Sequence, residues 1–300
     1  MNKAEEKVPE NGEVTTEAPE PEEKGKKSID EANLLWRVLF AAVIIVVIGG
    51  LGILGGWFFY GLIFVLSMIG LWEFYRAFKM EWSPQGIMGY LLGAAYWLFL
   101  ALDRLDFLFP TLMVGFLALM ILYVIRYEKM TLVEAFASYL GFLYAVVMIS
   151  YLYRIRAASD GIVLIWLVFL SAWGSDVMAY FVGSLFGKHR MTPHLSKHKT
   201  WEGTIGGIFG GALAGFLYGL ILSTRFKDIL TPILACTIIS TGAGIISIFG
   251  DLFGSAIKRQ TGIKDFSHLI PGHGGILDRF DSVIFVAPLF FYLAQIFLPH

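Results

Sequence analysis

The chain has 300 residues, of which 57% are hydrophobic and 16% charged, and its formal net charge is −1. Soluble domains carry about 25% charged residues and 45–50% apolar ones, so a water-soluble globular enzyme is excluded, as is extended disorder. The charge balance speaks against a nucleic-acid partner, and the single cysteine, Cys236, excludes an internal disulfide, a Cys-based metal site and a redox pair.

Residues 1–33 differ from the rest. They hold five lysines and ten acids with almost no large apolar side chain. Such a segment buries too little surface to offset its ordering entropy and reads as a disordered polar tail. It lacks the basic start, apolar stretch and small-residue end of a signal peptide. From residue 34 onward the pattern is that of a membrane protein. A spanning helix needs about 20 mostly apolar residues, and nine segments qualify: 34–50, 52–76, 85–102, 107–126, 134–153, 161–187, 203–223, 229–257 and 281–298. The first two are parted only by glycines around Gly49–Gly56. No alternating strand pattern is present. The expected fold class is therefore all-α and polytopic, with about nine transmembrane helices. Residues 34–160 form an N-terminal membrane region and 161–300 a second one that carries the chemistry. Trp36, Trp72, Tyr75, Trp82, Tyr127, Tyr153 and Trp201 fall near span ends, where interfacial aromatics belong.

Nine spans place the tail on the same side as the loops after spans 2, 4, 6 and 8. Arg104, Arg154, Arg156, Arg225 and Lys227 fall on the other side, and the remaining 18 of the 23 basic residues on the tail's side. That bias puts the tail and the even loops in the cytoplasm. In span 7, Gly203, Gly207, Gly211, Gly215 and Gly219 recur every four residues, which gives one smooth face for close helix packing. Cys236, in the apolar run 232–239, reads as a small buried hydrophobe.

Polar chemistry is concentrated late in the chain. Asp176 lies deep in span 6, where an acid is costly and needs a partner or a task. Lys199, Thr200 and Glu202 follow in a basic loop. His189, His194 and His198 stand in that loop too, but their spacing does not make a zinc site. At the end of span 8, Asp251, Ser255, Lys258 and Arg259 share one helix face. At the start of span 9, Asp278 and Asp281 share another. The polar loop between them, with Gly272, His273, Gly274 and Gly275, can bring those faces together. Hard divalent cations such as Mg²⁺ take oxygen ligands, often one or two carboxylates plus substrate phosphates, and Lys and Arg complete a phosphate cradle.

The run Ser255-x-Ile257-Lys258-Arg259, four residues, Lys264-Asp265-x-Ser267, then Ile270-Pro271-x-His273-Gly274-Gly275-Ile276-x-Asp278-Arg279-Phe280-Asp281 resembles the signature of the phosphatidate cytidylyltransferases, also called CDP-diglyceride synthases. The resemblance extends to Asp176–Gly187 and Ser196–Gly203. One departure lies in the loop after span 6, where the family commonly has Ser-Pro and here Ser196 is followed by Lys197. The resemblance implies that CTP and phosphatidate give CDP-diacylglycerol and pyrophosphate, with Mg²⁺ and a second cation left open. It implies Asp251, Asp278 and Asp281 as metal ligands. Lys258, Arg259, Lys264 and Arg279 would contact phosphates, and His273, Gly274 and Gly275 would shape the nucleotide loop. Asp176, Lys199, Thr200, Glu202, Ser255 and Asp265 are supporting substrate-binding candidates. The expected setting is the cytoplasmic inner membrane of the cell, with the active site at the cytoplasmic face, open sideways to lipid. A homodimer is expected from the glycine face and the family. Two other readings stand beside this one. A secondary transporter would show inverted repeats, and none is evident. A cytidylyltransferase with another lipid acceptor would share these motifs.

Overall fold

A computed structural model describes residues 43, 46–224, 229–270 and 274–298. The tail, most of the first expected span and His273 lie outside the described residues. Residues 46–54 are helical. This helix breaks at Gly55 and Gly56, whose φ angles of 64° and 51° suit glycine best. Arg156 closes its end by donating to the Gly52 carbonyl at 2.6 Å and the Ile53 carbonyl at 3.2 Å, as basic side chains near helix C-termini do.

Eight long helices follow, matching expected spans 2 to 9: α1 (Gly56–Ala77), α2 (Pro84–Ala101), α3 (Leu108–Ile125), α4 (Leu132–Ala157), α5 (Gly161–Phe186), α6 (Trp201–Ser223), α7 (Leu230–Thr261) and α8 (Ile276–Phe297). All but α2 are long and apolar enough, by length and composition, to cross a membrane. The chain is an all-α, multi-pass membrane protein. Caps explain several starts: Ser83 accepts from Gly86 N ahead of Pro84, and Thr131 forms a capping box with Glu134. Within α4, Phe142–Met148 is π-helical. Trp82, Tyr127 and Trp201 are exposed near helix ends, as interfacial anchors require. Tyr75 is instead a core residue, with its hydroxyl on the Ser138 carbonyl at 2.8 Å.

The most extensive packing joins α6 to α5 and α7. The glycine stripe accounts for it. A Cβ on Gly203 would meet the Ala179 carbonyl at 2.8 Å, and one on Gly211 the Ser240 carbonyl at 2.9 Å. The upper stripe thus faces α5 and the lower stripe α7, and Cys236 is buried against Gly219. The stripe is consumed inside the chain, so it is not a face on which a second copy could dock. Helix α8 touches α1, α4, α5 and α7 and forms the hub of the fold.

One element departs from expectation. Residues after α5 form a two-stranded antiparallel hairpin, β1 (Arg190–Thr192) and β2 (Ser196–Thr200), with Arg190 opposite Thr200 and Thr192 opposite Ser196. No apolar alternation announces it, because neither face meets an apolar core. It is held by the turn at Pro193, where Leu195 N donates to the Thr192 carbonyl at 3.1 Å, and by the contact of the Arg190 guanidinium with the Lys197 carbonyl.

Candidate active site

A cavity of about 800 Å³ lies between α5, the hairpin, α7 and the start of α8. Small-molecule sites span roughly 300–1,000 Å³. Of the expected residues, Asp176, Lys199, Thr200, Asp251, Lys258, Asp265, Asp278, Arg279 and Asp281 line it. They come from five segments of the chain, which the fold gathers at one end of the helix bundle. Tyr180 and Ser184, both exposed on the outer side of α5, form one margin.

Each acid has a defined setting. Asp176 accepts from Ser247 Oγ at 3.1 Å and Ser282 Oγ at 3.0 Å, which ties α5 to α7 and α8. Asp251 accepts from Lys199 Nζ at 2.6 Å, and the same ammonium reaches the Ile248 carbonyl at 3.1 Å. The hairpin thereby clasps α7 through one lysine. Asp278 is the most committed acid. Its Oδ1 accepts from Lys258 Nζ at 2.8 Å, and its Oδ2 from the Phe266 and Gly275 amides, each at 2.9 Å. Only 4% of its side chain is exposed. Asp278 thus joins α7, the signature loop and the first turn of α8 at one point. Asp281, one turn further along α8, is buried and lies close to Gly254 of α7, where a Cβ would stand 3.4 Å from Oδ2.

Other expected residues lie outside the lining. Arg259 and Lys264 are exposed, and the Arg259 guanidinium stands 3.5 Å from the Leu195 carbonyl at the hairpin turn. Ser255 is half-buried and does not line the cavity. Glu202 accepts from His189 Nδ1 at 2.6 Å and closes the base of the hairpin. Thr200 both lines the cavity and caps α6, accepting from Gly203 N at 3.1 Å. Gly274 takes a positive φ of 80° beside the Asp278 carboxylate.

The lining also contains Arg190, Ser196 and Ser282, which sequence reasoning did not single out, and His198, which it weighed only as a zinc ligand. Arg190, Ser196 and His198 become visible only once the hairpin forms and brings both its strands to the cavity. Glu73 of α1 was missed too, although an acid within the apolar run 57–75 is a signal by its cost alone. It is fully buried and bonds to Ser267 and the first turn of α8.

The donor set suits a hard cation. Asp176, Asp251 and Asp281 present oxygen donors to one cavity. Among the described residues, no three His, Cys, Asp or Glu side chains converge tightly enough to hold a metal ion by themselves.

Residues 35–297 match the model of the cytidylyltransferase family. A phosphatidate cytidylyltransferase of Bacillus subtilis is 30% identical over 278 residues, covering 87% of this chain and 97% of that protein. One of Synechocystis is 31% identical over 294 residues, covering 88% and 97%. One of Pseudomonas aeruginosa is 45% identical over 123 residues, covering 41% and 44%. With residues 35–297 matched and the signature residues Lys258, Asp265, Asp278, Arg279 and Asp281 lining one polar cavity, the chain belongs to the cytidylyltransferase family.

Proposed function

We propose that the protein is a phosphatidate cytidylyltransferase that converts CTP and phosphatidate to CDP-diacylglycerol and pyrophosphate, at the cytoplasmic face of the inner membrane. The observation that carries this reading is the single cavity in which Asp176, Asp251 and Asp281 face Lys199, Lys258 and Arg279. A phosphate oxygen of phosphatidate attacks the α-phosphorus of CTP, and the bond from that phosphorus to the bridging oxygen of the β-phosphate breaks. Pyrophosphate leaves with the electron pair. A phosphate monoester has a second pKa near 6 and is already ionised at pH 7, so no strong general base is required. The task of the side chains is to bring two polyanions together and to hold the leaving charge. Lys199 and Lys258, each anchored on an acid, fix two ammonium groups in the cavity. Arg279 and Arg190 add guanidinium forks suited to phosphate.

In this reading Asp251 and Asp281 would hold Mg²⁺, and the ion would supply Lewis-acid neutralisation of the phosphate oxygens when bound. Asp278, with both oxygens engaged, holds Lys258 in place. Arg259 and Lys264 supply an outer basic surface, and His273, Gly274 and Gly275 are assigned to the nucleotide, as the family resemblance implies. Tyr180 and Ser184 border the side through which a lipid headgroup enters. Excess basic residues on the loops after α1, α3, α5 and α7 support the cytoplasmic placement.

The test is CTP turnover by the purified protein in detergent–phosphatidate micelles, following pyrophosphate and lipid product. CDP-diacylglycerol formed only with a divalent cation is the expected result. No lipid product from a folded sample across several acceptors would overturn the reading.

A further inference from the structure

Glu73 lies one turn before the end of α1, in the half of the chain that holds none of the signature. Its side chain is fully buried, and its carboxylate accepts three hydrogen bonds: Ser267 Oγ at 2.5 Å and Ile276 N at 2.9 Å on Oε1, and Leu277 N at 2.8 Å on Oε2. The first belongs to the signature loop. The other two are amides of the first turn of α8, which lack intrahelical acceptors and sit at the positive end of the helix dipole. Gly275 makes the approach possible, because a Cβ there would stand 2.5 Å from Oε1 and 2.7 Å from Cδ. Asp278 takes the neighbouring Gly275 amide. The first turn of α8 is thus gripped by two carboxylates, one its own and one from α1.

Burying a carboxylate is costly unless its lone pairs are filled. A helix start could be satisfied more cheaply by a Ser or Asp on the helix itself. What Glu73 adds is a fixed attachment of that turn, and of Ser267, to a separate helix. The held turn carries Asp278, Arg279, Asp281 and Ser282 to the cavity. We infer that Glu73 is a positioning residue for cytidylyl transfer: from α1 it fixes the first turn of α8 and the signature loop so that Asp281 and Lys258 keep their places. This rests on the proposed reaction.

Glu73→Gln keeps the shape but turns an N–H₂ toward a backbone N–H, so one amide loses its acceptor. Expected for the folded variant is a kcat lowered roughly 10- to 100-fold. The Mg²⁺ concentration for half-maximal turnover should rise roughly threefold or more, with KM for phosphatidate within about twofold of wild type. Hydrogen–deuterium exchange should be faster at the Ile276 and Leu277 amides, since local opening sets that rate. Ser267→Ala, which leaves both amide bonds, should lower kcat by roughly threefold to tenfold. Wild-type turnover and Mg²⁺ requirement in Glu73→Gln would overturn the inference. So would equal losses in kcat, both KM values and thermal stability, which mark a general structural role. Should Glu73→Gln fail to fold, Ser267→Ala decides alone, and its unchanged kcat overturns the inference. A wild-type protein that makes no CDP-lipid refutes the reaction reading instead, and amide exchange in the variants then decides whether Glu73 holds the turn.

Discussion

Lys199 and Lys258 each pair with an acid of the cavity, but the pairs sit in different surroundings. The Asp251 side chain is 39% exposed beside Lys199, whereas that of Asp278 is 4% exposed beside Lys258. Removing a cation from a buried pair strands a charge and costs about 3–5 kcal/mol. An open pair contributes about 1 kcal/mol or less. Lys258→Met should therefore lose both turnover and thermal stability, while Lys199→Ala should lose turnover and keep its melting temperature within a few degrees. Thermal unfolding in detergent beside the CTP assay separates the two, and equal melting shifts would contradict the assignment of depth. The sequence announced both lysines through the motifs they sit in. It gave no sign of which acid each would hold, because Lys199 and Asp251 are 52 positions apart and meet only through the hairpin.

Among the elements, α6 shows a sequence pattern that maps directly onto packing. Its four-residue glycine period places five residues on one face, and that face lies against backbone of α5 and α7. Gly211→Val would drive a side chain into the Ser240 carbonyl and the Gly244 backbone, neither of which can rotate away. Overpacking of this kind costs about 1–3 kcal/mol. Gly61→Ala in α1, where a Cβ meets nothing within 4 Å, should be neutral or stabilising by up to about 1 kcal/mol. Comparing the two by thermal unfolding tests the stripe, and a harmless Gly211→Val would refute it. Helix existence was legible because hydropathy is a local property. The hairpin was not, since it buries little apolar surface and its pairing depends on a turn and on end contacts. The start of α8 was read five residues late. Its first turn is polar, and its stabilisers, Glu73 and Asp278, act through contacts that local hydropathy does not register.

At the scale of the whole molecule, short connections make consecutive helices antiparallel, so the ends of α1, α5 and α7 and the starts of α6 and α8 fall on one side. That side carries the cavity and the basic loops. Cys236 is buried, so a thiol introduced into a loop should report free of background. In intact cells, Ser159→Cys between α4 and α5 should react with a membrane-impermeant maleimide, and Glu128→Cys between α3 and α4 should react only after permeabilisation. Both positions are exposed. The opposite pattern would invert the topology and place the cavity on the wrong side for cytosolic CTP.

The contact of Glu73 with α8 also bears on how such chains can be recombined. The exposed turn at residues 158–160 is a natural junction between the first four helices and the last four, and loop tips of this kind tolerate exchange. A chimaera joined there inherits a secured start for α8 only when its first half brings an acid at the position of Glu73 and its second half a glycine at that of Gly275. The cavity is built almost wholly from the second half, yet the two halves are matched parts and cannot be exchanged as independent modules.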